Sequence, residues 1–203
     1  MNEYFDKIFY INLDKDVDRN EHMLSEFNKA KISNYERFPG VAVDTIPCKC
    51  LWRNFNKEKL CDKYILGGLG ARASHVGVMK LAKERGYKRI LILEDDVAFA
   101  LDPNMVVKMN QVPDWDMIYL GGRIEHHFRH QIVGAYAYGV NDVIMEEVIN
   151  MADTSGMEID NFYAKVLFHM SYNYKQEGKY RIIPFYPFES IVHTYKFATN
   201  IQK

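Results

Sequence analysis

The chain has 203 residues, 48% of them hydrophobic and 26% charged, with a formal net charge of −1. That balance excludes disorder, leaves enough length to bury a core without disulfide or metal staples, and contains no run near the ~18 apolar residues of a membrane span. Lys plus Arg (26) match Asp plus Glu (27), which removes the basic footprint of a nucleic-acid binder and points to a small or uncharged substrate.

In chain order, residues 1–6 lack a basic segment followed by an apolar one, so no secretory signal is expected and the expected location is cytoplasmic. Residues 7–13, Lys-Ile-Phe-Tyr-Ile-Asn-Leu, predict a strand. Asp18 with Glu21 resembles a capping box, and Met23, Leu24, Phe27 and Ala30 then share one helical face. Residues 35–43 predict a short strand interrupted by Pro39. Residues 44–66 show no firm period and hold all three cysteines, Cys48, Cys50 and Cys61. An odd set without a nearby His reads as reduced thiols rather than a zinc site.

A helix is predicted from about Ser74 to Glu84, ended by Gly86, with His75, Val78, Met79 and Ala82 on one face. The next run, Arg89 to Leu93, is apolar without alternation, as a central strand buried on both faces would be. Strands at 116–120 and 134–140 follow. A helix at 141–151 comes next, with Val143, Ile144, Val148 and Met151 inward. A helix at about 159–169 and a strand near 180–183 complete an alternating α/β pattern of one domain, a mostly parallel sheet flanked by helices.

Glu94-Asp95-Asp96 stands directly after the most apolar strand. Ligands of open α/β sheets bind outside the carboxyl ends of strands, so these acids lie where chemistry is expected. Adjacent carboxylates repel and resist burial unless a cation or donors neutralise them. A hard divalent cation, Mg²⁺ or Mn²⁺, suits such oxygen ligands and bridges to phosphates; the plain alternative is a solvated turn. Alternation along an extended chain would put Glu94 and Asp96 on one side and Asp95 on the other.

With this run the chain resembles glycosyltransferase family 25, which includes lipopolysaccharide and procollagen galactosyltransferases. The resemblance rests on blocks in the family's order. They begin with Ile11-Asn12-Leu13-Asp14 and Asp18-Arg19, Arg37-Phe38-Pro39 with Val43-Asp44, and Gly70 with Ser74-His75. They continue as Ile92-Leu93-Glu94-Asp95-Asp96, Trp115 to Gly121, Ala135-Tyr136-Ala137-Tyr138 and Ile159-Asp160-Asn161-Phe162. The resemblance implies a GT-A-like, Rossmann-type sheet, a UDP-sugar donor, Mn²⁺ or Mg²⁺ on the acidic run, and transfer of galactose or glucose with inversion. The implied acceptor is a hydroxyl of a glycan, a lipid-linked saccharide or a protein.

The same resemblance implies roles for individual residues. Asp96 would coordinate the metal, with Glu94 and Asp95 positioning the ribose, uracil or metal-bound water. Asn12, Leu13 and Asp14 would form the nucleotide edge, and Arg19 would reach phosphate unless it is a surface residue of the first helical turn. Arg72, Ser74 and His75 would open a helix whose N-terminus receives anionic oxygens; a hydrogen-bonded core histidine is the competing reading of His75. Asp160 would be the base that deprotonates the acceptor, with Glu158 as its understudy; a helix N-cap is the plain reading of Asp160. His193 would be a second metal ligand, or a plain strand histidine. The cluster Glu125-His126-His127-Phe128-Arg129-His130 reads as a polar loop near the acceptor rim.

One departure from the family pattern is Arg72 within Ala71-Arg72-Ala73, a basic side chain where members commonly carry an apolar one. Two rivals come from other classes. A metal-dependent nucleotidyltransferase would need a Gly-rich phosphate loop near the first strand, and Gly67-Gly68-Leu69-Gly70 falls too late and precedes no Lys. A non-catalytic nucleotide-sugar or glycan-binding homologue would have less use for both the acid triplet and Asp160.

Overall fold

The computed structural model describes residues 1–46, 62–99, 114–125, 131–155, 158–163, 182–183 and 192–194. In chain order its elements are β1 (Lys7–Asn12), α1 (Val17–Lys29), β2 (Tyr35–Pro39), α2 (Asp62–Glu84), β3 (Arg89–Glu94) and β4 (Val97–Phe99). There follow β5 (Met117–Glu125), β6 (Gln131–Asn141), α3 (Asp142–Ser155), α4 (Ile159–Phe162), β7 (Ile182–Ile183) and β8 (Val192–Thr194). A six-stranded sheet has the order β2-β1-β3-β6-β5-β7, and only β6 runs against the rest. This is the mostly parallel α/β layer structure expected.

The apolar run Ile90–Leu93 explains the central position of β3. All four side chains are fully buried, Ile90 and Ile92 toward α2 and α3, Leu91 and Leu93 toward α1 and β4. On α1, Met23 and Phe27 face the sheet, whereas Leu24 is exposed. Val143, expected inward, is also exposed, while Ile144 and Val148 of the same helix are buried.

Several boundaries move. The helix expected from about Ser74 begins at Asp62, so Gly67, Gly68 and Gly70 lie within it. The reason is tertiary: a Cβ on Gly70 would meet the Val41 carbonyl oxygen at 2.5 Å, so glycine lets the helix touch the chain after β2. The predicted stop holds. Gly86 has φ 73°, its N–H reaches Lys83 O, and Tyr87 N–H reaches Ala82 O, a paired helix-end motif. Strand β2 ends at Pro39 instead of continuing to residue 43, and β5 runs through Gly121-Gly122 to Glu125. At the start of α1 the N-cap is Asp16, without a side-chain cap, and Asp18 falls in the first turn. The cysteines, residues 126–130 and most of the predicted 159–169 helix lie outside the described residues.

Topology then places the crevice. From β1 the chain crosses through α1 to β2 on one side, and from β2 through α2 to β3 on the other. The strand order therefore reverses at the β1–β3 pair, and the opening between their carboxyl ends is where an open α/β sheet holds its ligand. Asn12 ends β1 and Glu94 ends β3.

Candidate functional site

A cleft of about 410 Å³ opens at that switch point. Leu13, Arg19, Ser74, His75, Glu94, Asp95 and Asp96 line it, together with Lys15, Lys63 and the segment Gly40–Val43. Seven of the residues singled out from the sequence thus meet in one opening.

The three acids do different work. The chain turns at Asp95 and Asp96, so strand alternation does not carry past Glu94 as expected. Asp95 is buried and held from both sides, by Arg19 Nη1 at 2.6 Å and Asn12 Nδ2 at 2.8 Å. Burial pushes its carboxyl upward while Arg19 and Asn12 pull it back. Arg19 is 3.7 Å from Asp96 as well. Burial works against the guanidinium's charge, but the bond to Asp95 together with the charges of Asp95, Asp96 and Asp16 outweighs it and raises its pKa. Arg19 is thus committed to the acidic run, and its sequence reading as a surface residue is overturned.

Asp96 is left differently. Its Oδ1 is a buried oxygen with no hydrogen-bond partner among the described residues. Burial, then the charge of Glu94, pushes its carboxyl up to about 7. Glu94 keeps 37% of its side chain exposed toward the cleft and touches His75 Nε2 at 3.4 Å.

Helix α1 holds the acidic turn and the strand after it. Arg19, His22 and Glu26 lie on one face at spacings of three and four. Arg19 takes Asp95, His22 Nε2–H donates to Val97 O at 2.8 Å, and Glu26 accepts from Phe99 N–H at 3.0 Å. β4 in turn pairs with β8, where His193 stands opposite Ala98, near Asp96 in the chain. The register therefore brings His193 to the neighbourhood of the acidic run.

Asn12 is a buried hub. Its amide donates to Asp95 and to Asp16 O, and its Oδ1 accepts from Arg37 Nε at 2.9 Å. Arg37 goes on to Asp14, which is otherwise exposed. Arg37 was not singled out in the sequence; its signal was a basic residue within the Arg37-Phe38-Pro39 block. Ser74 and His75 sit in mid-helix, so the helix N-terminus expected there does not exist. Ser74 Oγ donates to Gly70 O at 2.7 Å and accepts from Val41 N–H at 2.8 Å, which fastens the cleft wall to α2. Arg72 lies half-buried on α2 and is not among the residues lining the cleft.

Asp160 lies in the first turn of α4, and the N-cap is Glu158, so the N-cap reading of Asp160 does not hold. Its Oδ1 accepts the Asn161 N–H at 2.6 Å. Burial raises its pKa, with Glu158 and then Glu94 adding to the effect. Asp160 is not among the cleft-lining residues, yet it lies within the field of the acidic run. Glu158 is bound by Asn161 Nδ2 and by Tyr64 of α2.

The cation implied by the acidic run can be tested against these groups. Among the described residues no cluster of three or more His, Cys, Asp or Glu converges on one point. Mg²⁺-like ions need no such cage, since one or two carboxylates with a ligand's phosphates suffice. The orphaned Asp96 oxygen, next to the partly exposed Glu94, supplies that kind of half-site. The residues fit.

Among known proteins, the family described as "Glycosyltransferase family 25 (LPS biosynthesis protein)" matches residues 5–178. Human procollagen galactosyltransferase 2 is 31% identical over 133 residues, 58% of this chain and 21% of that protein. Human inactive glycosyltransferase 25 family member 3 is 26% identical over 137 residues, 58% of this chain and 22% of that one. The chain matches about a fifth of the length of these relatives. Among solved structures, a glycosyltransferase involved in glycosylation of the PBCV-1 major capsid aligns at TM-score 0.45 with 12% identity, covering 88% of this chain and 80% of that one. The galactosyltransferase LgtC, in complex with donor and acceptor sugar analogues, aligns at 0.41 with 10% identity, covering 95% and 87%.

Proposed function

The chain belongs to glycosyltransferase family 25, and from that premise we propose that it transfers galactose or glucose from a UDP-sugar to a hydroxyl of a glycan, a lipid-linked saccharide or a protein. The observation that carries this reading is the buried Oδ1 of Asp96 at the switch-point cleft, unpartnered among the described residues. A buried carboxylate oxygen without a donor is costly, and a donor–cation complex removes that cost.

Asp96, with Glu94 beside it, would hold Mn²⁺ or Mg²⁺. When bound, such a cation stabilises the charge that grows on the departing diphosphate. The remaining chemistry belongs to the chain. Arg19 and Asn12 keep Asp95 fixed, so the turn presenting Asp96 is set before a ligand arrives. Lys15, exposed at the cleft, adds positive charge for phosphate oxygens. Leu13 and Val41–Val43 give an apolar wall for the nucleoside. Asp160 takes the proton of the acceptor hydroxyl as it attacks, with inversion. Its upward-shifted pKa brings it nearer the range a general base needs. Among the described residues no helix is long and apolar enough to cross a membrane. We propose that the chain is a single catalytic domain working in the cytoplasm.

A second reading, nucleotide-sugar binding without transfer, is favoured by the relatives named inactive. One experiment separates the two: UDP release from UDP-galactose and UDP-glucose, with Mn²⁺ and without acceptor. Slow Mn²⁺-dependent release that disappears in Asp96→Ala supports the transferase. Donor binding by thermal shift without turnover on any acceptor supports the binding homologue.

A further inference from the structure

Behind Glu94 a line of buried polar groups runs through the core. His75 is 1% exposed, its Nδ1 lies 2.7 Å from Tyr138 Oη, and Tyr138 Oη lies 2.9 Å from Tyr163 Oη. The far ring nitrogen, Nε2, faces Glu94 Oε1 at 3.4 Å. Tyr138 also stacks on the imidazole, with ring centroids 5.6 Å apart at 22°. The line therefore joins α2, β6 and the residue after α4 to the first acid of the cleft.

Donor counting orients it. A carboxylate only accepts, so the proton facing Glu94 belongs to Nε2. A tautomer that carries its proton on Nε2 has a bare Nδ1. Nδ1 is then an acceptor and takes the single proton of Tyr138. Tyr138 Oη, having spent that proton, accepts from Tyr163. Every donor is used once, and the ring is locked at both nitrogens and by stacking.

We propose that His75 is a positioning residue for Glu94: Tyr163 and Tyr138 fix its imidazole as the Nε2–H tautomer, and that N–H holds the Glu94 carboxylate against the cleft wall. The functional half of this assignment rests on the donor-binding reading above, since Glu94 stands there beside Asp96 at the place of the donor and its cation. Metal-bound histidines show the same logic, where the group behind the ring sets tautomer and aim.

The test has two arms. Nitrogen-15 NMR of the full chain reads the tautomer of His75. The expected result is Nε2–H in wild type, lost as a fixed form in Y138F and shifted in E94Q. An Nδ1-protonated or doubly protonated ring in wild type, or a signal indifferent to E94Q, overturns the proposal. The second arm measures UDP affinity with Mn²⁺ by calorimetry in H75Q and H75N. Glutamine reaches toward the Nε2 position, whereas asparagine stops near Nδ1. H75N should weaken binding about tenfold and H75Q should recover most of it; equal losses in both overturn the positioning role. If wild type binds no UDP at all, the donor reading fails, and the NMR arm still decides the hydrogen-bond chain. Y138F removes one hydroxyl from an intact ring, so the result does not depend on a folded His75 variant.

Discussion

Replacing Asp96 by Asn should make the ligand-free protein more stable, and the size of the gain follows from the burial of this carboxyl. The unfolded chain releases the proton near 3.8, whereas the folded chain keeps it to about 7. Between those values the folded state carries the extra proton, so stability falls as pH rises. Carrying a carboxyl over that interval corresponds to about 4 kcal/mol at ~1.4 kcal/mol per pH unit. The side chain keeps 18% of its surface in solvent, and the new amide needs partners of its own, so a net gain of about 2 kcal/mol is expected above pH 7. For a chain of this length that is roughly 4–8 °C in Tm. Below pH 3.8 the two proteins should agree, because the carboxyl is neutral in both states. The assay is a pair of thermal melts across pH 4 to 8 without divalent cation, repeated with Mn²⁺ and UDP. With ligand the order should reverse, since only wild type gains from the complex. An Asn variant that is destabilised at pH 8, or whose difference from wild type does not change with pH, would refute the reasoning.

Three further outcomes follow from the supports of the same site. Arg19→Met leaves the buried Asp95 charge with Asn12 as its side-chain partner among the described residues, and chemical denaturation should show a loss of about 3 kcal/mol, part of it restored in the double variant with Asp95→Asn. Gly70→Ala puts a Cβ 2.5 Å from Val41 O; a loss of about 1–3 kcal/mol and weaker UDP binding are expected from the displaced cleft wall. Glu26→Gln tests the anchor of β4. Burial opposes the charge of Glu26, but Lys29 and the Phe99 N–H outweigh it and lower its pKa below 4.5. Its contribution is therefore present above pH 4.5 and is lost as pH falls through the lowered value. The stability gap between Gln variant and wild type should close in acid, and a gap constant with pH would count against this account.

The parts of the fold legible in the sequence are those whose cause is local. Ile90–Leu93 shows its burial on both faces by lacking alternation, and Gly86 marks a helix end because the left-handed φ is cheap only there. The early turns of α2 were hidden for the opposite reason. Glycines count against a helix in isolation, and their purpose at Gly70 is a contact with Val41 that no local pattern displays. Strand β4 is three residues long and exists through α1 and β8. In the site, the acidic run announced its location but not its division of labour. Which acid is clamped and which is left open depends on Arg19, and that contact joins residues 76 apart in the chain. Asn12 did carry a signal, a polar side chain at a buried position of an apolar strand, and in the structure its amide braces Asp95.

That division of labour ties three properties of the protein together. Arg19 bonds to Asp95 and stands farther from Asp96, so its charge is spent mainly on the acid that shapes the turn. The acid left over is half-buried, its buried Oδ1 is unpartnered among the described residues, and it holds a proton up to about 7. A proton and a cation would then compete for the same carboxylate. Ligand affinity, pH dependence and folding stability become expressions of one linkage: whatever neutralises Asp96 stabilises the fold. A side chain chosen for stability alone would be neutral there. The charge places a ligand-free cost of a few kcal/mol on the crevice, and under the proposed reading a cation-bearing ligand would recover that cost.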